Sequence, residues 1–136
     1  VAGGRDADNR LRAPVGIALD ASGTVFVLDA HDQRIHVIGN DGVWQQSFPI
    51  QTDRPGETVK PTGIALDSDG HLYVTDTFGN AILLFDGKGA FLQRWSGLGS
   101  QGEGFWMPSA IFIDSRDFIY VADRMNGRIQ VYQYEK

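Results

Sequence analysis

Along this chain the apolar residues fall into short runs, each closed by an aspartate, a glycine or a serine. "GIALD", "VFVLD", "IHVI" and "VWQQSF" follow one another between Gly16 and Phe48, with tight polar connections between them. Runs of this length, rich in Val, Ile, Leu and aromatics and bounded by turn formers, predict β-strands. No stretch carries the period of an amphipathic helix. Some runs, "ILLF" and "IFI" among them, are apolar at successive positions instead of alternating. Such strands belong to sheets covered on both faces.

The pattern recurs. "APVGIALDASGTVFVLD" (13–29), "KPTGIALDSDGHLYVTD" (60–76) and "MPSAIFIDSRDFIYVAD" (107–123) are copies at a spacing of 47 residues, so that Pro14, Pro61 and Pro108 align, as do Asp20, Asp67 and Asp114, and Asp29, Asp76 and Asp123. The same offset aligns "RIHVI", "AILLF" and "RIQVY" and sets Phe48 on Trp95. A repeat of this length means supersecondary units that bury their faces only against neighbours. Each unit reads as four antiparallel strands. The expected fold is therefore all-β: a β-propeller of four-stranded blades, three per chain.

The turns divide into two kinds. Between first and second strands lie "DASGT", "DSDGH" and "DSRDF", where Asp or Ser bonds the following backbone and Gly23, Gly70 or Asp117 takes a positive φ. Those aspartates read as structural. Asp29, Asp76 and Asp123, at the ends of the second strands, read as acceptors of backbone N–H groups.

The motifs P-x-G-I-A-L-D, G-x-L-Y-V-x-D, N-x-R-I-x-V-Y and D-G-x-x-x-F, taken together, resemble the NHL repeat along nearly the whole chain. Departures are local: Asp32 and Gly79 stand where the third unit has Asn126, Ala81 replaces the Arg of Arg34 and Arg128, and Ala110 replaces Gly16 and Gly63. The resemblance implies a six-bladed propeller, of which this chain would be half. The units run over about 14–60, 61–107 and 108–136, with 1–13 completing a blade. The third unit lacks most of its outer strand. Two copies joined into one ring, or a longer six-bladed parent, would each close the assembly. The start at Val1, with no leader before the first unit, reads as a mature form or a piece of something longer.

Composition narrows the partners. A net charge of −5 argues against nucleic acid, whose affinity comes from clustered Lys and Arg. No apolar run reaches membrane-spanning length, so no membrane is expected. There is no cysteine, hence no disulfide framework and no thiol chemistry. No nucleophile elbow, P-loop or dinucleotide fingerprint occurs. His31, His36 and His71 occupy different repeat positions, so no metal site and no cofactor are expected from them.

In a propeller of this order the loops between blades and between second and third strands share one face, termed upper here. Their contents differ between repeats: His31, Asp32, Arg34, Arg54, Phe78, Asn80, Trp106, Arg124, Met125, Asn126 and Arg128 are the candidate binding residues. The mixture of charged, aromatic and amide groups resembles an interface. Arg34 and Arg128 also read as ties between blades, and Phe105 and Trp106 as caps on the central channel or anchors. The expectation is a non-enzymatic scaffold for a protein or peptide, with no catalytic residues. The alternative is a propeller enzyme similar to amidating lyases or calcium-dependent lactonases, with an axial metal ion. The repeat spelling is similar to that of bacterial NHL proteins, many of them exported.

Overall fold

The structure is a computed structural model describing residues 10–96 and 104–133. Three antiparallel sheets follow one another. The first blade is β1 (Pro14–Leu19), β2 (Val25–Asp29), β3 (Arg34–Ile38) and β4 (Trp44–Pro49). The second is β5 (Pro61–Leu66), β6 (Leu72–Asp76), β7 (Ala81–Phe85) and β8 (Phe91–Ser96). The third holds β9 (Pro108–Ile113), β10 (Phe118–Asp123) and β11 (Arg128–Gln133), three strands among the described residues. One 3₁₀ turn, Arg124–Asn126, is the sole helical element described. The propeller expectation holds, with one boundary moved: the first strands stop at Leu19, Leu66 and Ile113, and the aspartate that follows opens the turn.

The position of each blade explains its burial. Every residue of β6 and β7 is buried, because the middle blade has a neighbour on both faces. One face carries Leu72, Val74, Leu83 and Phe85 against Phe26, Leu28, Ile35 and Val37 of the first blade. The other carries Tyr73, Ile82 and Leu84 against Ile119, Val121 and Phe105 of the third. Where a neighbour is missing, several of the same repeat positions are bare, although Val27 and Ile38 on the first blade's outer face stay buried. Ile17 and Leu19 of the first blade are 65% and 61% exposed, and Phe112 and Ile129 of the third are 64% and 62% exposed.

Asp20, Asp67 and Asp114 organise the turns at the lower ends of the first strands. Each carboxylate accepts N–H groups two and four residues on: from Ser22 and Thr24, from Asp69 and His71, and from Arg116 and Phe118. Gly23, Gly70 and Asp117 then adopt φ of 82°, 84° and 63°, the left-handed geometry the turn demands. β5 lies between β1 and β9, so these three turns gather at the inner edge of the assembly.

Candidate active site at the turn-side mouth

The upper loops hold the predicted binding residues, but many of these bond within the fold. Asn80 Oδ1 accepts the N–H of Met107 at 2.8 Å. Asn126 Nδ2 and Arg128 Nε both donate to Asp123 Oδ2, at 2.8 and 2.9 Å, and Arg128 also donates to the carbonyl of Gly104. Arg34 donates to the Ser47 hydroxyl and carbonyl on the adjacent strand. These bonds hold each arginine to its own blade or the loop entering it, so the contacts described do not tie one blade's strands to another's. Arg54 pairs with Glu57 at 3.8 Å, and Asp32 with Arg12 at 3.2 Å. His31, Phe78, Trp106, Arg124 and Met125 are exposed. Phe105 is buried against Tyr132 between the second and third blades, and so does not cap a channel.

The aromatic residues of the outer strands serve packing, as their repeat positions suggest. Trp95 sits edge-on to Tyr73 at 5.7 Å and touches Tyr132 of the next blade at 6.1 Å.

At the opposite end, the three inner turns enclose a concavity of about 610 Å³ lined by Asp20, Asp67, Ser68, Asp69, Asp114 and Asp117 among others. Ser68 donates both its backbone N–H and its hydroxyl to Asp117, joining the second blade to the third. Asp67 is buried, and its Oδ2 accepts from the Tyr73 hydroxyl and pairs with Nδ1 of His71, both at 2.8 Å. His71 follows directly on the segment that lines the concavity and is about a third exposed. Burial alone would raise the pKa of Asp114, but N–H groups of Phe118 and Arg116 and the Tyr120 hydroxyl outweigh it and hold the carboxyl below its ordinary value.

No sequence motif pointed to the Asp67–His71 pair. The signal was present in "DSDGH": an Asp that opens a tight turn and a His that closes it stand on neighbouring strand ends.

An axial ion finds few ligands among the described residues. The upper ends of the inner strands present Val15, Thr62 and Ser109, with no carboxylate or imidazole, and the Thr62 hydroxyl already bonds those of Thr75 and Thr77. These residues do not fit an axial metal site.

On the outward side of the first blade, Asp29, Asp32 and His36 bring their ligand atoms within 4.8 Å of one another. Asp29 accepts four backbone N–H groups, from Arg12, Ala13, His31 and Asp32. They hold its pKa below normal although burial works the other way. Burial pushes the His36 pKa down, so the imidazole is neutral at physiological pH.

No curated protein matches the sequence. Among solved structures, virginiamycin B lyase from Staphylococcus aureus superposes with a TM-score of 0.61 at 20% identity, over 91% of this chain and 42% of that one. Regucalcin from Agrobacterium tumefaciens, a calcium-binding protein, gives 0.60 at 17% identity, over 82% and 38%. A gluconolactonase from Xanthomonas campestris gives 0.59 at 19% identity, over 82% and 35%. This chain therefore spans about two fifths of the length of these structures. At such identity the likeness concerns the fold. A lyase, a gluconolactonase and a luciferin-regenerating enzyme are among these structures, which counts against the expectation that this chain is a non-enzymatic scaffold. Its residues 49–136 match the sequence profile of the family described as DUF5128, 6-bladed beta-propeller, and the chain belongs to that family.

Proposed function

We propose that the chain supplies half of an NHL-type propeller enzyme that hydrolyses a small hydroxylated substrate, a lactone or related cyclic ester, at the turn-side mouth of the axis. The observation that carries this is the Asp67–His71 pair beside the carboxylate-lined concavity. A buried carboxylate accepting from Nδ1 fixes the imidazole as the tautomer whose Nε2 bears the lone pair, which is how a histidine is prepared as a general base. His71 takes a proton from water as the water oxygen attacks the lactone carbonyl. The ring C–O bond then breaks, and the departing alkoxide takes that proton. Asp20, Asp69 and Asp114 offer acceptors for substrate hydroxyls, and further blades would complete the wall.

Turnover of gluconolactone and a panel of small lactones in a pH-stat tests the assignment. Replacing His71 by Asn should lower kcat by about 10²- to 10⁴-fold while leaving the melting temperature in place. Unchanged turnover in that variant, or no turnover of any lactone by the intact ring, would overturn it.

In the chain on its own, a second copy closes the ring. The bare positions on the two end faces are the repeat equivalents of core residues: Ile17 corresponds to Ile64 and Ile129 to Ile82, at 5% and 0% exposure. Head-to-tail joining would thus rebuild two contacts of a kind the chain already makes twice. Because half a ring leaves apolar faces open, association and folding are linked, and the melting temperature should rise with protein concentration. Light scattering should give twice the chain mass; a folded monomer at every dilution would point to blades from a longer chain instead.

A further inference from the structure

We propose that Asp29, Asp32 and His36 form a binding site for a divalent cation of the zinc class, on the outward side of the first blade and separate from the turn-side mouth. The three residues place an imidazole nitrogen and one oxygen of each carboxylate within 4.8 Å of one another. A second, independent observation marks the place as incomplete. His36 is 6% exposed, and its Nε2 is buried with no hydrogen-bond partner among the described residues. A buried polar atom without a partner is costly, and native folds rarely keep one without a reason.

The repeat supplies the reason. In the third blade the same positions hold a hydrogen-bonded network: Asp123 Oδ2 accepts from Asn126 Nδ2 at 2.8 Å, Arg128 Nε at 2.9 Å and Gln130 Nε2 at 2.8 Å. In the first blade those donors are exchanged one by one. Asp32 stands for Asn126 and His36 for Gln130. Arg34 stands for Arg128 but turns away to Ser47. The centre thus keeps its aspartate, loses two amide donors and a guanidinium, and gains a carboxylate and an imidazole. What remains is a set of electron-pair donors around a point where the sister blade has hydrogen-bond donors.

One carboxylate is already met by a cation: Arg12 Nε lies 3.2 Å from Asp32 Oδ1, on a side chain 52% exposed. In the single chain that guanidinium approaches from solvent, on the face that ring closure would cover, and would yield to an ion. Asp29 takes its four N–H groups from the backbone, three on Oδ1 and one on Oδ2, which aims the carboxylate and leaves Oδ2 as the oxygen with room for an ion. One nitrogen and two oxygens, with water in the fourth position, suit zinc, whereas calcium asks for six to eight oxygens. Ligand atoms around tetrahedral zinc lie about 3.4 Å apart, so the cluster closes by about an ångström as Asp32 shifts.

Calorimetric titration of the chelator-stripped full chain with zinc chloride, repeated with calcium chloride, is the test. One zinc per chain is expected, with calcium much weaker. The variants Asp32→Asn and His36→Gln, which import the third-blade residues, should each weaken zinc by about 10- to 100-fold, and His31→Asn, on the exposed neighbouring histidine, should change nothing. Asp32 is only partly buried, its side chain 25% exposed, so its variant carries the test if His36→Gln does not fold. No stoichiometric uptake, equal affinity in Asp32→Asn, loss of zinc binding in His31→Asn, or a preference for calcium would each overturn the site.

Discussion

Replacing Gly89 by Val should cost about 4 kcal/mol of stability, well above the cost of the same change at Gly42, the equivalent glycine of the first blade. Both glycines sit in the turn between third and fourth strands, at φ of 92° and 83°. A β-branched residue is strained there whatever surrounds it, by about 1–3 kcal/mol. Space separates the two. A Cβ on Gly42 would meet nothing within 4 Å, whereas one on Gly89 would stand 2.5 Å from Phe48 Cγ and 3.0 Å from Cε2. Phe48 is itself a member of the core between the first and second blades, so its ring yields only by opening that core. Forcing atoms into a packed interior adds about 1–3 kcal/mol. Urea denaturation of both variants at one protein concentration reads the difference, and equal losses would show that Phe48 moves aside at no cost.

Much of this architecture can be read from spacing alone. The period of 47 residues carries the blade, the Asp-to-Gly turns carry the hairpins, and the aspartates closing the second strands do accept backbone N–H groups. What spacing hides is where side chains turn. Arg34 and Arg128 occupy one repeat position, yet one meets Ser47 and the other Asp123. Phe105 reads as a cap on the channel because it sits in a loop between blades, but it packs against Tyr132, one of the aromatics between the second and third blades. The Asp67–His71 pair escapes a reading that counts histidines as ligands, since its partner is a turn aspartate already explained by the backbone. Likewise Asp29, Asp32 and His36 stand at separate turn and strand positions. Only the alternation of strand faces, with both Asp29 and His36 directed away from the second blade, brings them to one side.

Asp123→Ala should cost about 3–5 kcal/mol at neutral pH, since it leaves the groups around a buried charge without their acceptor. The carboxylate is fully buried and accepts the backbone N–H of Trp106 at 2.7 Å together with the side chains of Asn126, Arg128 and Gln130. Through Trp106 it fixes the entry to the third blade, and through the other three it holds the loop between β10 and β11. Burial by itself would raise its pKa, but the bonds from Asn126, Trp106, Arg128 and Gln130 prevail and the folded value lies below the ordinary one. The sign of the pH dependence follows from that direction. A depressed carboxylate contributes its stability fully above the unfolded pKa of about 3.9, and the contribution fades as pH falls toward the folded value. The wild-type chain should therefore lose stability on acidification, with Asp29 and Asp114, lowered in the same direction, losing theirs together with Asp123. The alanine variant lacks one of these contributions and should lose less between neutral pH and about pH 3. Urea denaturation of both proteins at the two pH values gives the comparison: a gap that narrows at low pH is expected, and a gap of constant size would mean that Asp123 stabilises the blade by its shape alone.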